Sequence, residues 1–392
     1  MKCLKRCTLL ALLSLLITSC DGPLGFAIHN AKVDDHTYRI DYGADTVMDF
    51  VLKNNQMLLL GSINGDSDTL LYDSGSSYYL VRFFNERNKP DGVRFYHIPV
   101  TGADKQADMK ATTDSCRIEL PIRKVKAMQM LLLMEEKHAC EKELRVNRYP
   151  ILGFPAMDGV MLNFSESKIH EQVHLKNLDT VNEFHPVKCR RDWRGVLFIY
   201  PVIDGVEWEC VFDTGNSSGI LLKDENRVDH PNETDMLYEG SYGLALGGKT
   251  SHQHYVVAQN VGIDLGGLRD TCQVMYVKEL EFNNMGMQYI SKFDWVIFGY
   301  MDKVYARPRT MDTLEQVKRR NPRYGITTMD GDIRILTRLL DGHEVFRVDD
   351  RIKSVNGEAI TPENICDYYK LLSESDDWTE FDIEVGFIGG RK

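Results

Sequence analysis

Short apolar runs alternate with polar and turn residues through most of the chain. Residues 56–63 and 68–72 are two such runs, and Asn64-Gly65 between them predicts a β-hairpin. Residues 78–84 and 93–101 follow as β-rich runs, and the polar stretch 103–108 predicts a second hairpin tip. Apolar runs recur at 116–120, 126–134 and 159–164. Helix signals are confined to two places. One is 311–320, stopped by Asn321-Pro322; the other is 362–373, opened by Thr361-Pro362. The expectation is a mainly β chain.

The pattern occurs twice. Ile63-Asn64-Gly65 leads into Leu70-Leu71-Tyr72-Asp73-Ser74-Gly75-Ser76-Ser77. Ile203-Asp204-Gly205 leads into Cys210-Val211-Phe212-Asp213-Thr214-Gly215-Asn216-Ser217. In both copies the turn lies nine residues before the aspartate, and an aliphatic residue (Leu80 or Ile220) lies seven after it. A hydrophobic-hydrophobic-glycine landmark follows each: Ile151-Leu152-Gly153, 80 residues past Asp73, and Ile297-Phe298-Gly299, 86 past Asp213. Such a long-period repeat predicts two equivalent β units with an aspartate loop in each.

Two aspartates from equivalent loops can meet across a pseudo-twofold axis. At close range they share a proton and titrate as a pair. The ionised one can take a proton from water while the protonated one donates to a carbonyl, chemistry suited to amide hydrolysis without a cofactor or metal. Glycine just past each aspartate allows the sharp turn such loops need. A lone Asp-Ser-Gly or Asp-Thr-Gly is an ordinary turn tripeptide. The paired context is what raises these two above that.

Residues 56–307 resemble the aspartic proteases, in particular bacterial retropepsin-like members that carry two lobes in one chain. The resemblance rests on Asp73-Ser74-Gly75 with Ile151-Leu152-Gly153, and Asp213-Thr214-Gly215 with Ile297-Phe298-Gly299. It implies two β-rich lobes, a cleft with Asp73 and Asp213 as the catalytic pair, and a peptide or protein substrate. It also implies that the Ser74 and Thr214 hydroxyls grip the opposite lobe, and that Ser76 hydrogen-bonds its aspartate. Asn216 stands where Ser, Thr or Ala is usual. Gly102 and Gly243 are candidates for flap tips.

Residues 323–392 resemble a PDZ domain through the stretch Phe346 to Gly357, which ends Ile352-Lys353-Ser354-Val355-Asn356-Gly357. Tyr324-Gly325-Ile326 would then open the peptide-binding strand, and a peptide C-terminus is the implied ligand. Asp349 replaces the usual glycine, and the chain stops early enough after residue 385 that a last strand is in question. The whole is expected to be a two-lobed aspartic-protease-like β fold with internal duplication, followed by a small PDZ-like α+β domain. The expected bounds are a signal at 1–19, a tether at 20–45, lobes at 46–187 and 188–308, a linker helix at 309–322 and the PDZ-like domain at 323–392. Within these, 185–195 reads as a basic, solvated inter-lobe link.

The first residues add a location. Lys2, Lys5 and Arg6 precede an apolar run at 8–17 that is short for a bilayer span, then Ile17-Thr18-Ser19-Cys20. This resembles a bacterial lipobox, with Cys20 as the lipidated residue and the membrane as a partner through that anchor. The remaining chain has 44 basic and 58 acidic residues, a net −14, which argues against a nucleic-acid partner. Six cysteines follow Cys20, and Cys116 with Cys140 is the expected disulfide, the others being buried thiols. Two further readings compete with the dyad. One is a non-catalytic envelope protein that captures peptides with the same cleft. The other is a zinc protease built on His170-Glu171-Gln172-Val173-His174, which satisfies H-E-x-x-H, although the flanking pattern favours a β-hairpin over the helix that motif needs.

Overall fold

A computed structural model describes residues 26–27, 29–30, 39–76, 78–85, 88–101, 106–133, 140, 149–153, 158–174, 183–192, 195–245, 248–298, 301–310 and 321–386. The signal, Cys20, Gly102, Gly299 and the expected helix 311–320 lie outside them. The chain is mainly β. The Asn64-Gly65 and Asp204-Gly205 turns form as expected, all four residues taking positive φ (55°, 96°, 51° and 79°). That is the backbone of a two-residue hairpin turn, whose twist matches its strands. The hairpin expected around 103–108 is also present, Tyr96–Thr101 pairing with Gln106–Leu120.

The first sheet has the Asp66–Asp73 strand near its centre. Gln56–Ile63 lies antiparallel on one side and Ile151–Gly153 parallel on the other. The central part of the chain repeats this arrangement in another sheet. Cys210–Phe212 runs parallel to Asn284–Met285, and each of those short strands is in turn antiparallel to the strand after its aspartate loop. Backbone hydrogen bonds match residue for residue: Leu71 N to Pro150 O (2.9 Å) is answered by Val211 N to Asn283 O (2.8 Å).

This corrects the expected second landmark. The counterpart of Ile151-Leu152-Gly153 is Asn284-Met285-Gly286, not Ile297-Phe298-Gly299. Gly153 and Gly286 are both threaded against the aspartate loop, where an added Cβ would lie 1.9 Å from Tyr78 O or 2.4 Å from Ser218 O. Ile297 and Phe298 instead belong to Phe293–Phe298, a strand buried along its whole length. That strand lies inside a six-stranded sheet with four strands from the first half of the chain and two from the second. The order is His185–Val187, Lys303–Pro308, Phe293–Phe298, Asp158–Asn163, Lys168–His170 and Val47–Asp49. One hydrophobic cluster runs through both halves, from Met57 and Tyr72 to Phe212 and Trp295.

The basic run at 185–195 keeps charged side chains in solvent, but it is more than a link. It supplies His185–Val187 to that sheet, and Cys189–Arg191 pairs with Leu197–Ile199. Two of its cations are matched locally, Lys188 by Glu207 and Arg190 by Glu209. The C-terminal residues form a smaller unit with its own core around Ile333, Val355, Leu372 and Trp378. Its helix, Ile365–Glu374, begins later than Pro362 because Thr361 to Asn364 close a turn first. The apolar run that ends at residue 385 forms a strand, Ile383–Gly386, which pairs with Arg351–Val355; a further strand after it would lie outside the described residues. Asp349 holds φ +68°, the left-handed backbone for which glycine is the usual residue. Tyr238 to Gly240 of the central sheet pair with Thr337 to Leu339 of this unit, so the two share one continuous sheet.

Candidate active site

Asp73 ends its strand and Asp213 directly follows its own, so each carboxylate sits at the mouth of its loop. The loops meet face to face. A Cβ on Gly75 would lie 3.0 Å from Asp213 Oδ1, and one on Gly215 would lie 2.6 Å from Asp73 Oδ1. No residue larger than glycine fits either position without displacing the opposite carboxylate. The two side chains are close enough for the Asp213 carboxylate to act directly on the ionisation of Asp73.

Beneath them Ser74 and Thr214 are buried and exchange hydrogen bonds across the two halves. Ser74 N donates to Thr214 Oγ1 (2.9 Å) and Thr214 N to Ser74 Oγ (3.0 Å). Ser74 Oγ donates to Phe212 O (2.6 Å) and Thr214 Oγ1 to Tyr72 O (2.8 Å). Each hydroxyl therefore accepts one bond and donates one. The lattice has a twofold character and uses every polar atom it brings into the interior, which is what a buried hydroxyl requires.

The carboxylates are treated differently. Gly75 N donates to Asp73 Oδ1 (2.9 Å), and Gly215 N to Asp213 Oδ1 (2.9 Å). Asp213 Oδ1 also accepts from Asn216 N (3.1 Å), and Asp213 Oδ2 accepts from Asn284 Nδ2. In the equivalent position beside Asp73 stands Ile151, which has nothing to donate. Burial, then the neighbouring Asp213 carboxylate, hold the Asp73 carboxyl well above the usual carboxylate range, against the opposing pull of the Gly75 and Ser76 amides. Burial and a like charge both disfavour ionisation.

One expected supporting role differs from what is found, and Asn216 acts on its aspartate only through its backbone and a neighbour. The Ser76 hydroxyl donates to Tyr78 O (3.3 Å) rather than to Asp73. The Asn216 side chain does not reach Asp213; its Nδ2 donates to Asn284 Oδ1 (2.6 Å). Asn284 escaped the sequence reading because a polar residue opens its landmark where an aliphatic one was sought.

The H-E-x-x-H segment does not form the helix a zinc site of that type needs. His170 ends the strand Lys168–His170. Glu171 is buried in an ion pair with Arg123 (2.8 Å), each side chain 2% exposed. Among the described residues no cluster of three or more His, Cys, Asp or Glu side chains is arranged to hold a metal. The expected Cys116–Cys140 disulfide is also replaced. Cys140 bonds to Cys366 of the C-terminal helix, and Cys116 is a buried thiol. No protein-family model matches the chain, and no curated protein matches it.

Proposed function

We propose that the chain is an aspartic endopeptidase that hydrolyses peptide bonds with Asp73 and Asp213. The observation that carries this reading is the juxtaposition of the two carboxylates, each loop having glycine where the other's carboxylate approaches. In this reading Asp73 holds the shared proton and Asp213 is ionised. Asp213 takes a proton from a water whose oxygen adds to the scissile carbonyl carbon, while Asp73 gives its proton to the carbonyl oxygen. The resulting gem-diol collapses as Asp213 passes its proton to the amide nitrogen, a gem-diol hydroxyl gives a proton to Asp73 and the C–N bond breaks. The pair is left as it began, with Asp73 protonated and Asp213 ionised, and the water's second hydrogen and oxygen leave in the new carboxyl product; no metal or covalent intermediate is needed. The repeated strand pairing around the two loops supports a duplicated, two-lobed protease fold.

The C-terminal unit is proposed as PDZ-like. Among the described residues its strand Tyr324–Met329 is paired along one edge only, and the helix Ile365–Glu374 packs against it. That is the setting in which an extended peptide adds to a sheet edge. The Ile17-Thr18-Ser19-Cys20 stretch supports a lipid anchor on Cys20 and a place in the bacterial cell envelope.

Peptide cleavage by purified protein, followed from acidic to neutral pH, tests the main reading. The parent is expected to cut. Asp73→Asn and Asp213→Asn are each expected to lower kcat by about 10³-fold or more while leaving the melting temperature within a few degrees. A parent that binds peptides at every pH without turnover would instead make this a peptide-capture protein.

A further inference from the structure

Asn284 is fixed in one orientation by a chain of amides that starts at an unambiguous donor. Ser218 N is a backbone N–H and can only donate; it bonds the Asn216 side-chain oxygen at 2.9 Å. Ser218 Oγ donates to the same oxygen at 2.6 Å. The other end of the Asn216 amide is therefore its NH₂, and this donates to the Asn284 oxygen at 2.6 Å. The Asn284 NH₂ is then the end that faces Asp213 Oδ2. An amide that could flip would offer either a donor or an acceptor; this one is locked as a donor. Its strand is equally fixed, bonded on one side to Val211 and on the other to Leu221.

Among the described residues this run of amides has no counterpart in the other loop. Ser76, at the position of Asn216, turns its hydroxyl to Tyr78 O, and Ile151 occupies the position of Asn284. We propose that Asn284, oriented by Asn216 and Ser218, is a positioning residue that makes Asp213 the member of the pair that carries the negative charge. This deepens the protease reading and rests on it for its catalytic meaning. Three N–H groups, from Gly215, Asn216 and Asn284, converge on the Asp213 carboxylate, and all three favour its ionised form.

Among the described residues, other charges around Asp213 are few. Its strand Cys210–Phe212 brings the buried Cys210 thiol, and Ile220–Lys223 brings Lys223, an exposed residue. Thr214 to Ser218 and Asn284 to Gly286 bring no ionisable side chain. Across the cleft the loop Asp73 to Tyr78 brings Asp73 and the half-buried Tyr78 phenol. Asp73 is thus the group from which Asp213 must be distinguished.

The experiment reads ionisation directly, so its outcome does not depend on turnover. In full-length Asp73→Asn protein, Asp213 titrates without its partner, and carbon-13 NMR of its carboxyl gives its pKa. Adding Asn284→Ile, which copies Ile151, is expected to raise that pKa by about one unit. Asn216→Ala, which frees the Asn284 amide without removing it, is expected to raise it by less. Asn284→Ser, which keeps a donor and guards against misfolding of the isoleucine variant, is expected to restore part of the shift. In the mirror Asp213→Asn background, Asn284→Ile is expected to leave the titration of Asp73 in place. An Asp213 pKa unchanged by Asn284→Ile and Asn284→Ser, in folded protein, overturns the proposal. So does an equal shift at Asp73. If the parent cleaves no peptide but Asp213 shifts as expected, the protease reading fails and the assignment of charge stands.

Discussion

Asp73 carries a cost to stability that can be measured apart from any activity. Its carboxyl is raised above the usual range by burial and by Asp213. Its contribution to folding is therefore complete at pH values below the pKa it has in the unfolded chain, and is lost as pH rises through its folded value. Asp73→Asn places a neutral side chain of the same shape there at every pH. The expected outcome is a melting temperature close to the parent's in acid and above it at neutral pH. Thermal melts of both proteins across that range check this; a gap independent of pH would contradict it. At this scale Asp73, Asp213 and their glycines were legible in the sequence because the tripeptide recurs in a matched context. Asn284 was not, since its role depends on strands that meet only in the fold.

The paired loops depend on hydroxyls held away from water. Thr214 donates to Tyr72 O and accepts from Ser74 N, both bonds crossing between the halves. Thr214→Val keeps the shape and removes both, leaving a buried amide and a buried carbonyl short of a partner. The expected loss of stability is about 1–3 kcal/mol, read from denaturant unfolding. Ser74→Ala is expected to act alike, and the two losses are expected not to add, because each side chain's partners include the other. Element boundaries were legible where a turn dipeptide fixed them, as at Asn64-Gly65 and Asp204-Gly205. The second glycine landmark was misread for a physical reason. Phe293–Phe298 is apolar throughout because it is buried in a sheet shared by both halves. That made Ile297-Phe298-Gly299 the better match by hydrophobicity alone, whereas Asn284-Met285-Gly286 was disguised by the one polar side chain that faces the site.

Among the described residues the C-terminal unit is held to the rest of the molecule chiefly by a shared sheet and a disulfide, and neither could be read from the sequence. Strand edges that pair across domains leave no local signal, and cysteine spacing does not fix pairing. The first attachment is the strand pairing of Tyr238 to Gly240 with Thr337 to Leu339. It is reinforced by the Arg338–Glu239 ion pair (2.6 Å) and by the Tyr255–Thr337 hydroxyl contact (2.7 Å). The second is the Cys140–Cys366 disulfide, with Cα atoms 5.3 Å apart and a sequence separation of 226. The first attachment is to the central sheet, which contains Asp213's strand, and the second is to the half that contains Asp73. The unit therefore bridges both aspartate-bearing halves. A cross-link closing so long a loop restricts the unfolded chain strongly, so Cys366→Ser is expected to lower stability by about 2–5 kcal/mol. Strand pairing does not depend on the sulfur, so the unit is expected to stay docked on the central sheet. Hydrogen exchange measured by mass spectrometry separates the two effects. Amides of Met236–Gly240 should stay protected in Cys366→Ser, and should lose protection when Arg338→Ala and Thr337→Ala are added. Exposure of that strand on loss of the disulfide alone would mean that the covalent link, rather than the shared sheet, holds the unit in place.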